Sequence, residues 1–138
     1  MDQSTLRKFF LRELPERTAV VRMDPRNEVP PWAWTGSLSA VVRTTEELTI
    51  VCDQTVVPAH LKSELDWVAF KLEGPLPFSM TGVLSSLLDP LAAGLIPVFV
   101  LSTFDTDYIL VKADQAQRAR EILQSHGHMV RLPGNSVC

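Results

Sequence analysis

Two aspartates one residue apart, Asp105 and Asp107, sit in the turn STFDTD between the apolar runs IPVFVLS and YILVK. A carboxylate on such a turn can receive an ammonium group through a charge-assisted hydrogen bond. Upstream, Phe78, Ser79, Met80, Thr81, Gly82 and Val83 lead into a segment with helical spacing. The first amides of a helix lack internal partners and attract a carboxylate, and glycine lets a ligand approach with no Cβ in the way. Anion at one end and cation at the other describe a zwitterion. The segment contains no activated nucleophile, metal cluster or phosphate loop. It reads as a binding site for a small metabolite.

Each feature also has a plainer explanation. The loop before the helix can be an ordinary cap with an incidental glycine, and aspartates at hairpins commonly bond their own backbone. Asp107 precedes the buried run YILV and is expected to be structural, whereas Asp105 is expected to face a ligand. Ser102, Thr103 and Thr106 complete the turn, and Phe104 either covers an apolar ligand stem or fills the core. His126 and His128 straddle Gly127 and suggest a metal pair. A helix C-terminus favours histidine for its dipole, however, and no third ligand is in view, so no metal site and no cofactor are expected. Cys52, within LTIVC, reads as a buried inert thiol. Trp32 and Trp34 of PPWAWTG read as a cover for the core where a helix is missing.

Positioning these residues requires two units. Apolar residues at Leu6, Phe9, Phe10 and Leu14 have helical spacing and predict a short helix over Ser4–Leu14, stopped by Pro15. Strands are expected at Thr18–Met23, Leu38–Arg43 and Leu48–Cys52, the last two forming a hairpin. Between the first two, VPPWAWTG has room for at most one helical turn. After a connector broken by Pro58, Trp67–Leu72 opens a second unit. A helix capped by Ser79 or Thr81 runs to about Ala93, is interrupted at Pro90, which frees the Ser86 carbonyl, and ends at Gly94. Strands Ile96–Ser102 and Tyr108–Lys112 follow, then a helix from Asp114 to Gly127 and a last strand, His128–Leu132.

Strand, helix, strand, strand, helix, strand is the split βαβ order of ferredoxin-like domains. The first half repeats it with one helix shrunk to a turn and the other lost in the connector. The expected fold is therefore α+β, with two tandem ferredoxin-like units. The first, degenerate unit is placed at residues 1–63 and the second at 64–138.

Over 138 residues, 46% are hydrophobic and 21% charged, close to globular averages. A net charge of -3 gives no basic footprint for nucleic acid. The charges scattered through MDQSTLRKFFLRELPERT leave no apolar signal region, and no run is long enough to span a bilayer. A cytoplasmic protein without membrane contact is expected.

The long motif FSMTGVLSSLLDPLAAGLIPVFVLSTFDTDYILVK resembles that of a small bacterial family of ACT-domain proteins. Its STFDTDYILV portion is similar to the ligand-binding repeats of cytosolic arginine sensors in animals. The resemblance covers the whole chain, with PPWAWTGSLSAVVRTTEELTIVC falling in a degenerate ACT-like half. It implies an amino-acid ligand at the junction of the first ACT strand and helix, residues Phe78–Val83 facing Ser102–Asp107. It also implies pairing of ACT units, hence a homodimer, and a regulated partner of unknown identity. An amino-acid-binding regulator or sensor is the leading expectation. The alternatives are a small enzyme using a histidine or Cys52, and a structural dimerisation module with a vestigial pocket.

Overall fold

A computed structural model describes residues 8–74 and 81–134. The chain forms two compact units. Residues up to Leu14 join the segment from Val68 onward, and Pro15–Trp67 make the other unit.

The unit spanning Pro15–Trp67 contains β2 (Thr18–Met23), β3 (Ala40–Arg43), β4 (Leu48–Asp53) and the first half of β5 (Lys62–Leu72). The strands are antiparallel in the order β3-β4-β2-β5, which is the ferredoxin order. Where helices would stand there are single 3-10 turns at Pro31–Trp34 and Gln54–Val56. Pro31 at the start of the first turn has the fixed φ that a helical start accepts, and the backbone is extended again by Thr35. Ala19, Val21, Ala33, Leu48, Ile50 and Cys52 form the core. Trp32 packs against it, but Trp34 is 61% exposed, so only one tryptophan covers the core.

The other unit contains β1 (Phe10–Glu13), the second half of β5, α1 (Val83–Ala93), β6 (Phe99–Ser102), β7 (Asp107–Lys112), α2 (Ala113–Ser125) and β8 (Met129–Arg131). From β5 onward this is the expected strand-helix-strand-strand-helix-strand order. Leu11, Phe70, Leu72, Ile109, Val111 and Val130 form the buried face of the sheet. Leu87 and Leu91 of α1, with Ala116, Ala119 and Leu123 of α2, cover it.

The N-terminal segment corrects the sequence reading. Residues Phe10–Glu13 are a strand, not a helix, and they are wedged between β5 and β8. β1 runs antiparallel to β5, with Leu11 opposite Leu72, and parallel to β8, with Leu11 opposite Val130. The period of two wins because alternate residues meet different surroundings: Leu11 is fully buried, while Phe10 is half exposed.

Candidate functional site

The hairpin turn between β6 and β7 is closed by its own side chains. The Thr103 amide donates to the Thr106 carbonyl at 2.8 Å, and the Thr103 hydroxyl donates to the same oxygen at 3.1 Å. The Thr106 amide returns a bond to the Thr103 hydroxyl. Thr106 is buried, and its own hydroxyl donates to the carbonyl of Leu72 at 2.8 Å. That bond ties the turn to the end of β5, the strand that leads toward α1. The Ser102 hydroxyl donates to the Asp107 carboxylate at 2.5 Å, across the last β6–β7 pair. Phe104 and Asp105 are left at the exposed tip, Phe104 at 80% exposure. Asp105 has no hydrogen bond or ion pair among the described residues.

Phe78, Ser79 and Met80 lie outside the described residues. Thr81 is exposed, and Gly82 is the residue that starts α1. Its φ of 76° and ψ of 3° are left-handed, a conformation that costs a residue with a Cβ roughly 1–2 kcal/mol. The expectation of a Ser79 or Thr81 cap fails for the second of these, because the cap position is Gly82 and no side chain caps the helix. The Gly82 carbonyl accepts from the Ser86 amide at 3.0 Å, the first turn of the helix. The amides before Ser86 belong to the turn that has no intrahelical acceptor. Val83 is buried in the core and anchors this end.

Pro90 sits inside α1 without ending it. Proline has no N–H to offer the carbonyl four residues earlier, so Ser86 loses its intrahelical partner. His128 answers this gap. Its ring is 4% exposed, stacks on Phe9 at 5.8 Å, and its Nδ1 accepts the Phe9 amide at 3.0 Å. Burial pushes the His128 pKa below its ordinary value, a hydrogen bond with the Ser86 backbone partly opposes this, and the neighbouring His126 adds a smaller downward push. Because Nδ1 accepts an amide N–H it carries no proton, which leaves the ring proton on Nε2. His126 instead lies exposed at the end of α2, its Nδ1 3.0 Å from the Ile122 carbonyl. The two histidines do not converge. No group of three metal-ligating side chains occurs among the described residues. The structural role of His128 was missed from sequence, although the freed Ser86 carbonyl was its available signal.

Cys52 is fully buried in the N-terminal unit, and burial raises its thiol pKa. A protonated, inaccessible thiol is a poor nucleophile. No helix among the described residues is long and apolar enough to cross a membrane.

The ACT domain family model matches residues 62–125, and a second family model, described as an N-terminal domain, matches residues 16–60. No curated protein matches the sequence. Among solved structures, the chain is similar to the protein Atu0741 from Agobacterium tumefaciens. The two are 31% identical, the match covers 94% of this chain and 96% of that one, and the TM-score is 0.88. It is also similar to VC0802 from Vibrio cholerae, described as a possible transport protein, at 18% identity, 88% and 91% coverage and a TM-score of 0.69. The ligand-free regulatory subunit of aspartate kinase from Thermus thermophilus matches with 10% identity, 83% and 94% coverage and a TM-score of 0.57. The last two likenesses are of fold.

Proposed function

The chain belongs to the ACT-domain family, and we propose that it is an amino-acid-responsive regulator whose ligand binds at the strand-to-helix junction of its C-terminal unit. The observation that carries this reading is the Asp105 carboxylate. Thr103, Thr106, Ser102 and Asp107 are all engaged within the turn or with β5, and Asp105 alone is exposed without a partner among the described residues. In this reading the ligand ammonium docks on Asp105, and its carboxylate takes the uncapped amides that open α1. The proposed site extends to Phe78, Ser79 and Met80, which lie outside the described residues. The reading includes a homodimer in the cytoplasm, acting on a separate protein and using no cofactor.

A thermal-shift screen of the whole chain against the common amino acids tests the proposal. A ligand at about a hundred times its dissociation constant adds about 2.7 kcal/mol, which raises Tm by several degrees. One amino acid, or a chemically related few, should give this shift. A flat response across the panel leaves the chain as a structural module and overturns the proposal. Turnover of a panel compound would overturn it in favour of an enzyme.

A further inference from the structure

The sheet of the C-terminal unit carries its helices on one face only. On its other face three cations stand in register. Arg12 on β1 is the cross-strand partner of Lys71 on β5 and of Arg131 on β8. Across the antiparallel pair Arg12 and Lys71 the Cβ atoms are about 4.5–5.5 Å apart, and like charges there repel. One anion answers them: Glu73 accepts from Arg12 Nε at 3.1 Å, in a pair whose side chains are 46% and 34% exposed. The side chains of Lys71 and Arg131 have no hydrogen bond or ion pair among the described residues. A chain with a net charge of -3 has no general excess of cations, so this row is a local choice.

The adjoining row is apolar on β1 and β8, and Glu73 stands beside Phe10 on the β5 side, its amide donating to the Phe10 carbonyl at 2.8 Å. Phe10 is the cross-strand partner of Met129, and the two are 50% and 54% exposed. β1 is hydrogen-bonded on both edges, so a partner that covers the side chains of Arg12 and Phe10 lies on the face and does not add as a strand beside β1. A second copy presenting the same face would bring cations to cations. A phosphate group or a nucleic acid would use the cations and leave Phe10 and Met129 uncovered.

From this pairing of rows we infer that the exposed patch of this face at β1 and β8 docks an acidic, apolar polypeptide segment of another protein. Carboxylates of the segment reach Lys71 and Arg131, and apolar side chains cover Phe10 and Met129. The inference does not depend on the amino-acid site being occupied.

The test uses the whole chain and a fluorescein-labelled peptide of alternating glutamate and leucine, followed by anisotropy. Saturable binding that weakens with added salt is expected. Lys71→Glu and Arg131→Glu should each lower affinity at least about tenfold with no fall in Tm. Met129→Ser should also weaken binding, although it leaves every charge in place. The inference is overturned if the peptide does not saturate, or if the charge reversals leave its affinity unchanged. It is equally overturned if a glutamate-serine peptide binds as tightly, or if inorganic phosphate displaces the probe at comparable concentration. Sedimentation showing a dimer that Arg131→Glu dissociates would assign the face to a second copy and overturn it as well.

Discussion

At the scale of single residues, the turn separates two aspartates that look equivalent in sequence. Asp107 receives the Ser102 hydroxyl, while Asp105 is exposed and unengaged among the described residues. Asp105→Asn should leave Tm unchanged and weaken amino-acid binding, because it removes a charged partner worth roughly 1.5–3 kcal/mol. Asp107→Asn should lower Tm more than affinity. Calorimetry and melting with the opposite ranking would mean that the roles are exchanged. Replacing Gly82 is less informative than its sequence position suggests. With φ at 76°, a valine there strains the unliganded protein, so loss of ligand response would not locate the carboxylate. His128 gives a pH prediction with a definite sign. Burial lowers its pKa from 6.5, so the unfolded chain binds the proton first. The stability that it contributes is complete above pH 6.5 and is lost as pH falls below that value. His128→Asn keeps an acceptor for the Phe9 amide but cannot titrate. Its melting temperature should depend less on pH below 6.5 than that of wild type; parallel profiles would show that His128 does not carry the effect.

At the scale of elements, β1 is the part least visible in the sequence. Leu6, Phe9, Phe10 and Leu14 satisfy a helical spacing, yet the contacts that decide the matter lie about 60 and 120 residues away, at Leu72 and Val130. A local pattern cannot register such partners. The same limit hid the early start of β5, whose first half is held by β2 rather than by apolar alternation of its own. Elements with local causes were legible. β2 was read to the residue, α2 was expected from Asp114 and runs Ala113–Ser125, and the proline-rich stretch made the single turn that it has room for. The strand expected from Ile96 begins only at Phe99, because Leu95 is left-handed and Pro97 offers no N–H to a ladder. In the candidate site the acidic turn was readable from its residue types. The bond from Thr106 to Leu72 was not, since it joins residues 34 apart. The placement of β1 makes a stability prediction. Leu11 is fully buried in the core of the C-terminal unit, so Leu11→Ala should cost about 2–5 kcal/mol in urea unfolding. A loss below about 1 kcal/mol would show that β1 is an appendage and not part of that core.

At the scale of the whole molecule, the chain forms two ferredoxin-like units, with Pro15–Trp67 lying in sequence between β1 and the rest of the other; one unit keeps both helices and the other reduces each to a turn. Thinning the first unit leaves sheet surface that oligomers commonly cover, and the proposed regulator is expected to sediment as a homodimer at micromolar concentration. A monomer at that concentration would remove the dimer from the account while leaving the ligand site intact. The central claim is that a free amino acid binds between the acidic turn and the start of α1. It is tested most directly by titrating the amino acid selected in the thermal screen into isotope-labelled protein and following backbone amide resonances. The account predicts saturable changes concentrated at Thr81, Gly82 and Val83 and at Ser102 through Asp107, and much weaker changes in Asp105→Asn at the same concentrations. Saturable changes confined to other residues, with Asp105→Asn responding as wild type does, would contradict it.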